Sequence, residues 1–378
     1  MIKYLEINNF KSHKNTKIDL ANLTVFCGIN SVGKSSVFQP LLLLREAHLN
    51  KTNFEYLDLL SNPIKIGTIA DAFYQYSEND EITFQIKTEI DDYIFSFELE
   101  NNDYTKTLIN SKKNKFENGI NPKISLFNEN FQYISSNRIG PQESYKKDDV
   151  VVEKYKQISL IEGNAEFCIH FLHKNQSHRV LKELINNNSS EEELIYQVTS
   201  WEKEISKGVN VIVEDNGKLG FELKYQYDTQ YGNEKTNKFS ALNVGFGLSY
   251  VLPIIVAILS AKPDALLIIE NPEAHLHPSG ISKLTELICL AAQAGIQIII
   301  ETHSDHIING ILVQSKLYEE TKKGIDRNNV SIYQFDRDED YHCSVAKKVE
   351  VKEGGRISFA PEGFFDQSTI DTDFLFDL

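Results

Sequence analysis

Residues 28–36, Gly28-Ile-Asn-Ser-Val-Gly33-Lys34-Ser35-Ser36, decide the fold of this 378-residue chain. They fit the pattern GxxxxGK[ST] and stand between the apolar run 23–27 and a segment of helical spacing from Val37. Strand, glycine loop and helix in this order predict a phosphate-binding loop. Lys34 would reach the β and γ oxygens, and the Ser35 hydroxyl would bind Mg²⁺. We therefore expect a nucleotide bound by Gly28, Asn30, Ser31, Gly33, Lys34, Ser35 and Ser36.

The glycines of this loop have a predicted role of their own. A Cβ at Gly28 or Gly33 would stop the backbone from closing on a phosphate. A chance glycine turn before a helix is the alternative. Since a random chain of this length would match the pattern about once in a hundred trials, nucleotide binding is the interpretation we adopt.

A second segment, residues 265–270, is an apolar run that ends in a carboxylate, Ala-Leu-Leu-Ile-Ile-Glu270. It predicts a buried parallel strand that presents an acid at its carboxyl end, where ligands bind in open α/β sheets. Alone, it could be any buried strand with a polar exit. Beside a phosphate loop it is interpreted as the Walker B strand, with Glu270 holding Mg²⁺ through water together with Ser35.

Two more segments fit the same site. A strand at residues 297–300 leads to Thr302-His303-Ser304, and His303 is predicted to sense the γ-phosphate, although a histidine in a capped turn is the alternative. The turn Asn243-Val-Gly245-Phe-Gly247 opens an apolar helix, and a helix N-terminus donates N–H groups to an anion. On its own, this last segment would be better explained by a tight turn packed against a neighbouring helix, but its place in the order of motifs favours the anion-binding role.

The rest of the chain alternates between strand and helix patterns. Residues 64–100 have the alternation of antiparallel strands, 165–206 have helical spacing, and strand patterns return at 209–227 and after Val330. We therefore divide the chain into four parts. Residues 1–100 form a lobe with the phosphate loop and an antiparallel β subdomain, and residues 101–240 form an insert or lid. Residues 241–328 form a second ATPase lobe, and residues 329–378 form a small C-terminal extension.

The order of these motifs resembles the ABC-type ATPase heads of the SMC, RecF and OLD families. "GINSVGKSS", "NVGFGLSYVLP", "IENPEAHLHP", "ETHSDH" and "PEGFFDQ" are similar to a bacterial group of stand-alone AAA-family ATPases that end in a domain of unknown function, with relatives in anti-phage systems such as Septu. The resemblance implies an α/β head: a P-loop NTPase core with a mixed sheet, an antiparallel β subdomain and a helical lid insert.

The same resemblance implies a dimer. Two heads would enclose two ATP molecules with Mg²⁺, and residues 276–278 would form the D-loop that crosses the interface. Each head would then cap the γ-phosphate held by its partner through four signature residues, which are Asn243, Gly245, Gly247 and Ser249.

One departure from the family concerns catalysis. Many heads have a glutamate directly after the Walker B acid, but this chain has Asn271, and an amide cannot accept a proton. Hydrolysis is therefore expected to be slow, unless Glu273 or Glu301 acts as the base. The expected catalytic set is Glu270, Asn271, Glu273 and His303.

Composition limits the remaining functions. A net charge of -15 argues against an indiscriminate nucleic-acid coat, and four scattered cysteines argue against a disulfide framework or a structural zinc. With no signal peptide or membrane span in the pattern, a cytoplasmic protein is expected.

The leading hypothesis is an ATP-gated dimer or higher oligomer that controls an effector, a nuclease from the same operon, in anti-phage defence. The alternatives are an ATPase of the RecF or SMC type that clamps DNA directly, and a scaffold that binds ATP without turnover. Arg138 is left open between a ligand-facing and a structural role.

Overall fold

The computed structural model describes residues 1–100, 103–112, 114–116, 119–160, 162–229, 234–359 and 374–375. Its helices are α1 (Lys34–Leu49), α2 (Ile69–Ala72), α3 (Cys168–Lys174), α4 (Leu194–Ile205), α5 (Phe246–Ser260), α6 (Pro278–Gln293) and α7 (Asp305–Thr321). Its strands are β1 (Tyr4–Phe10), β2 (His13–Asp19), β3 (Leu23–Cys27), β4 (Tyr56–Asp58), β5 (Glu81–Lys87), β6 (Asp92–Glu98), β7 (Leu108–Ser111), β8 (Phe131–Ile134), β9 (Val209–Asp215), β10 (Phe221–Tyr227), β11 (Phe239–Ser240), β12 (Leu266–Glu270), β13 (Gln297–Glu301), β14 (Val330–Asp338), β15 (Cys343–Val349), β16 (Val351–Lys352) and β17 (Arg356–Ile357). The "PEGFFDQ" segment, residues 361–367, lies outside the described residues.

The chain forms two compact units, each built from separated segments. The first contains Met1–Asn128, Ile299–Asp305 and Arg327–Leu378, and the second contains Glu129–Ile298 and His306–Asp326. The chain passes from the second unit into the first within β13. In the described residues, no helix has both the length and the apolar character to cross a membrane.

An antiparallel sheet in the first unit has the strand order β2-β1-β5-β6-β7-β4. Alternate residues of β5 are buried, Ile82, Phe84 and Ile86, so one face is apolar. The antiparallel pattern expected for residues 64–100 is therefore present as β5 and β6. The sheet also continues past the boundary expected at residue 100, because Glu98 of β6 pairs with Asn110 of β7.

A second sheet in the first unit carries the strand that leads into the glycine loop. All five residues of β3 are buried, and β14 pairs with β3 in parallel, from Val330 beside Leu23 to Gln334 beside Cys27. The strand order is β15-β14-β3-β13. Residues expected to form a small C-terminal extension thus supply a neighbour of the loop-bearing strand.

The second unit holds the strand that ends in Glu270. β12 pairs in parallel with β8, from Leu266 beside Phe131 to Ile269 beside Ile134, and the local order is β13-β12-β8. Helix α5 is apolar on all sides and buried from Leu248 to Leu259, as a core helix must be. The fold is mixed α/β, as expected.

The insert combines both kinds of element. Helices α3 and α4 occupy the segment predicted to be helical, and β9 and β10 occupy the segment predicted to be strands. Strands β9 and β10 form a three-stranded antiparallel sheet together with β11, in the order β11-β10-β9. Helix α4 packs against α5, α6 and β9, so the insert adjoins the helix that begins at the glycine-rich turn.

Candidate nucleotide site

The glycine loop is curled around the side chain of Lys34. This lysine is 3% exposed, and its ammonium donates to the carbonyl oxygens of Gly28 at 3.0 Å and Ile29 at 2.5 Å. Helix α1 starts at Gly33 with no side-chain cap and no acidic residue in its first turn. Its first N–H groups therefore lack a side-chain acceptor from the cap residue, which is the donor arrangement that binds a phosphate.

Both loop glycines have backbone angles that favour glycine, with φ of 139° at Gly28 and 95° at Gly33. A Cβ at Gly28 would collide with the carbonyl oxygen of Phe335, and one at Gly33 would meet the Ser344 hydroxyl and lie 2.6 Å from the Ser12 hydroxyl. The sequence reasoning attributed these glycines to the approach of a phosphate. The protein's own packing already requires them.

The Ser35 hydroxyl donates to Oε1 of Glu301 at 2.9 Å. Glu301 is the last residue of β13 and is 6% exposed. A carboxylate therefore lies in contact with the hydroxyl that was predicted to bind Mg²⁺. His303 follows two residues later and is exposed.

The other predicted loop residues divide into two groups. Asn30 and Ser31 are exposed at the loop, where a ligand can reach them. Ser36 is buried, and its hydroxyl donates to the Gly33 carbonyl at 2.8 Å and contacts Nε2 of His13 at 2.9 Å. The Ser36 hydroxyl therefore holds the loop from inside, which leaves the backbone N–H of Ser36, in the first turn of α1, for the ligand contact expected of this residue.

In the second unit, the Glu270 carboxylate has two donors at the end of β12. It accepts a hydrogen bond from the Tyr133 hydroxyl at 2.7 Å and another from the Ser136 N–H at 2.9 Å. The next residue, Asn271, has a φ of 42°, and its Oδ1 is buried without a hydrogen-bond partner in the described part of the chain. Glu273 is half-buried in the turn that follows.

Arg138 joins the exits of two strands to helix α5. It is 4% exposed, and its guanidinium donates to four backbone carbonyl oxygens, those of Ser135, Tyr250, Glu270 and Asn271, at 2.7 to 3.2 Å. Burial lowers the pKa of Arg138 to about 10, so it remains charged at neutral pH. Of the two roles left open for Arg138, the structural one accounts for every hydrogen bond of its side chain described here.

The glycine-rich turn before α5 has an exposed and a buried side. Asn243 and Gly245 are exposed, and a Cβ at Gly245 would meet nothing within 4 Å. A Cβ at Gly247 would lie 2.5 Å from the carbonyl oxygen of His275. The rings of Phe246 and Tyr250 both approach the His275 ring, each with 4.7 Å between centroids.

Ser249 differs from the other predicted signature residues. It is 3% exposed and sits in the first turn of α5. A hydroxyl in this position points into the protein. The phosphate contact expected for Ser249 is therefore not supported by its location, whereas Asn243 and Gly245 remain accessible.

The histidines after β12 are explained without a metal. His277 caps helix α6, where its side chain accepts a hydrogen bond from the Ser279 N–H. His275 packs against the aromatic rings of α5. In the part of the chain that the structure describes, no group of three or more His, Cys, Asp or Glu could hold a metal ion.

Comparison with known families gives this arrangement its context. A family model described as "AAA domain, putative AbiEii toxin, Type IV TA system" matches residues 23–309, about three quarters of the chain. The chain belongs to this AAA family. A second model, described as "Protein of unknown function (DUF3696)", matches residues 325–375 of the AAA protein, in agreement with the resemblance noted for its C-terminal segment. No protein of curated function matches the sequence.

Three solved SMC head structures are similar to the AAA chain. An SMC head bound to the C-winged helix domain of ScpA has a TM-score of 0.55 and 13% identity, covering 93% of this chain and 98% of that one. An SMC head from Thermotoga maritima has a TM-score of 0.47 and 14% identity, with 93% and 99% covered. A head with an extended coiled coil, bound to the C-terminal domain of ScpA derived from Pyrococcus furiosus, has a TM-score of 0.49 and 13% identity, with 92% and 96% covered. The first likeness shows that the AAA protein has the head-type ATPase fold.

Sequence reasoning missed several residues that shape this site. Tyr133 and Ser344 hydrogen-bond the predicted acid and the phosphate loop, yet neither belongs to a motif. The sequence signal for Tyr133 was its place in a predicted short strand that ends in a turn. Ser344 gave no signal, because it follows the loop by about 310 residues.

Proposed function

We propose that this AAA protein is an ATP-gated switch. It binds ATP with Mg²⁺ at residues 28–36, hydrolyses it slowly, and associates with a second copy around the bound nucleotide. The observation that carries this proposal is the curled loop, in which buried Lys34 closes on the carbonyls of Gly28 and Ile29 and Ser35 contacts Glu301. Bound Mg²⁺ would neutralise phosphate charge, with Ser35 and Glu270 as its proposed protein ligands.

Glu301 is our proposed general base. Asn271 follows the acid strand and cannot accept a proton, so another carboxylate must do so if water is activated. Glu301 contacts the Ser35 hydroxyl at 2.9 Å, and Glu273 lies in the turn after β12. A carboxylate already in contact with the predicted metal ligand is the better placed of the two candidates.

The exposed signature turn supports association between copies. Asn243 and Gly245 are exposed, Phe246 is 46% exposed and Leu242 is 49% exposed. Glycine and amide groups suit a phosphate, and exposed apolar side chains suit a protein surface. We propose that this turn closes on the nucleotide of a second copy.

The wider role that we propose is control of an effector nuclease in anti-phage defence. This step rests on the resemblance to Septu-type ATPases. A net charge of -15 is consistent with a protein that leaves contact with DNA to its partner. The first test is whether the same operon encodes a nuclease, and the second is co-expression with that nuclease followed by co-purification with and without ATP. Failure of the two proteins to associate under either condition would contradict the effector role.

The nucleotide steps have their own experiment. Lys34→Ala should abolish ATP binding, and mass photometry should show ATP-dependent association for the wild type alone. Glu301→Gln should reduce ATP turnover by at least a hundredfold with little change in ATP affinity, whereas Glu273→Gln should keep most of the turnover. Fast turnover by Glu301→Gln would exclude Glu301 as the base.

A second candidate function is direct clamping of DNA. This candidate rests on the resemblance of the motifs to the ATPase heads of the SMC and RecF families, with which the chain shares its fold. Stimulation of ATP turnover by duplex DNA, lost at moderate salt, would support this function over the effector switch. Turnover that does not respond to DNA would favour the switch.

A further inference from the structure

The C-terminal segment that matches a domain of unknown function contains the hairpin of β14 and β15. Its strand β14 lies beside β3 in parallel, with Gln334 next to Cys27, the last residue before the phosphate loop. The hairpin therefore runs alongside the loop itself. Nothing in the family description assigns it a role.

Three residues of the hairpin contact the loop. The Ser344 hydroxyl donates to the Val32 carbonyl oxygen at 2.7 Å and lies 2.6 Å from the Ser12 hydroxyl. The Arg337 guanidinium donates to the Ser31 carbonyl oxygen. The carbonyl oxygen of Phe335 lies so close to Gly28 that a Cβ on this residue would collide with it.

These contacts determine which way the loop presents its N–H groups. In a planar trans peptide, the carbonyl of one residue and the N–H of the next point in opposite directions. Holding the carbonyls of Ser31 and Val32 towards the hairpin therefore turns the N–H groups of Val32 and Gly33 away from it. N–H groups of a loop that follows a strand and precedes a helix are the donors for a bound phosphate.

We propose that Ser344 and Arg337 are positioning residues of the phosphate loop, and that the C-terminal hairpin pre-organises the loop for the nucleotide. Ser344 is buried and holds the Val32 carbonyl oxygen, whereas Arg337 is exposed and holds the Ser31 carbonyl oxygen. Without these donors the Ser31 and Val32 peptides can rotate, and the nucleotide must then pay the entropic cost of ordering them. This inference rests on the proposed binding of ATP.

The test measures the affinity of the full chain for Mg-ATP by titration calorimetry. Ser344→Ala and Arg337→Met should each weaken binding roughly threefold to tenfold, the loss expected for one hydrogen bond. Turnover at saturating ATP should be unchanged, because neither side chain is proposed to touch the reacting atoms. Arg337→Lys keeps a donor and should recover part of the affinity.

Lys347→Ala is the matched control, since Lys347 lies on the same hairpin but pairs with Asp336. It should bind ATP like the wild type. Unchanged affinity in both Ser344→Ala and Arg337→Met would overturn the inference, while loss of binding in Lys34→Ala would leave the proposed function standing. Absence of ATP binding by the wild type would overturn the proposed function itself. If Ser344→Ala does not fold, the exposed Arg337 still decides the result.

Discussion

The guanidinium of Arg138 lies over the ring of Tyr250, with 4.5 Å between Cζ and the ring centroid, while its Nε donates to the carbonyl oxygen of the same residue. Tyr250 belongs to the helix that starts at the glycine-rich turn, and the other donors of Arg138 hold the carbonyls of Glu270 and Asn271. One buried cation thus joins the signature helix to the exit of the acid strand. Asn271, whose φ of 42° lies in the left-handed region, is held by Arg138 through its carbonyl oxygen.

We therefore expect Arg138→Met to destabilise the protein by at least about 3 kcal/mol, because several buried carbonyls lose a charged donor. Arg138→Lys should recover little, since an ammonium cannot donate in the planar fork of a guanidinium. Urea unfolding measures both. Arg179→Met is the control, because Arg179 is exposed and should change stability by less than about 0.5 kcal/mol. A loss below about 1 kcal/mol for Arg138→Met would contradict this account.

The two glycines of the signature turn should respond differently to alanine. A Cβ at Gly247 would press on the His275 carbonyl, so Gly247→Ala should lower the Tm of the free protein. A Cβ at Gly245 has open space and an ordinary φ of -53°, so Gly245→Ala should leave the Tm unchanged. If the turn closes on a nucleotide in a second copy, Gly245→Ala should still weaken ATP-dependent association in mass photometry. Wild-type association would argue that this turn is not the contact surface.

The buried side chain of Glu202 should give the stability of the protein an unusual dependence on pH. It is fully buried in α4, its carboxylate oxygens have no hydrogen-bond partner among the described residues, and burial raises its pKa well above 4.5. The folded state therefore keeps the proton that the unfolded chain releases, and the contribution of this group to stability falls as the pH rises above about 4.5. Glu202→Gln should raise the Tm at pH 8, and the gain should vanish near pH 4.

Glu204→Gln provides the comparison for this experiment. Glu204 accepts hydrogen bonds from Asn186 and Asn188 and lies 3.5 Å from Lys283, so losing its charge should bring no gain in Tm at pH 8. Equal effects of the two substitutions would show that the burial of Glu202 does not penalise its charge.

The buried imidazole of His13 should make stability depend on pH in the opposite direction. It is fully buried beneath the phosphate loop, contacts Thr16 and Ser36 at 2.9 Å each, and its burial lowers its pKa from 6.5 to about 4. The unfolded chain binds a proton between these values while the folded protein does not, so stability falls as the pH drops from 6.5 to about 4. The whole loss amounts to about 3 kcal/mol.

His13→Gln should remove this loss while keeping polar contacts to the loop. Free energies of unfolding at pH 7 and pH 4.5 measure the difference. His178→Gln, at an exposed imidazole, should keep the wild-type slope. A slope unchanged by His13→Gln would mean that His13 is not the titrating group.

The sequence predicted those parts of the site whose signal is local. The loop at 28–36, the buried run ending in Glu270 and the apolar helix after Gly245 each have a pattern that can be read within about fifteen residues, and all three are present. The sequence could not reveal that Ser249 is buried, because its burial depends on how remote segments such as α4 pack against α5. It also could not reveal the partners of the loop carbonyls, since Ser344 and Val32 are 312 residues apart.

The pairing of β3 with β14 has a consequence for protein synthesis. The phosphate-loop strand leaves the ribosome well before its neighbour, residues 330–334, which follows it by about 300 residues. The first unit cannot be completed until residues 330–334 have been made, because they form the strand that pairs with β3. A nascent chain that ends before β14 therefore carries the complete GxxxxGK[ST] motif without the strand that lines it.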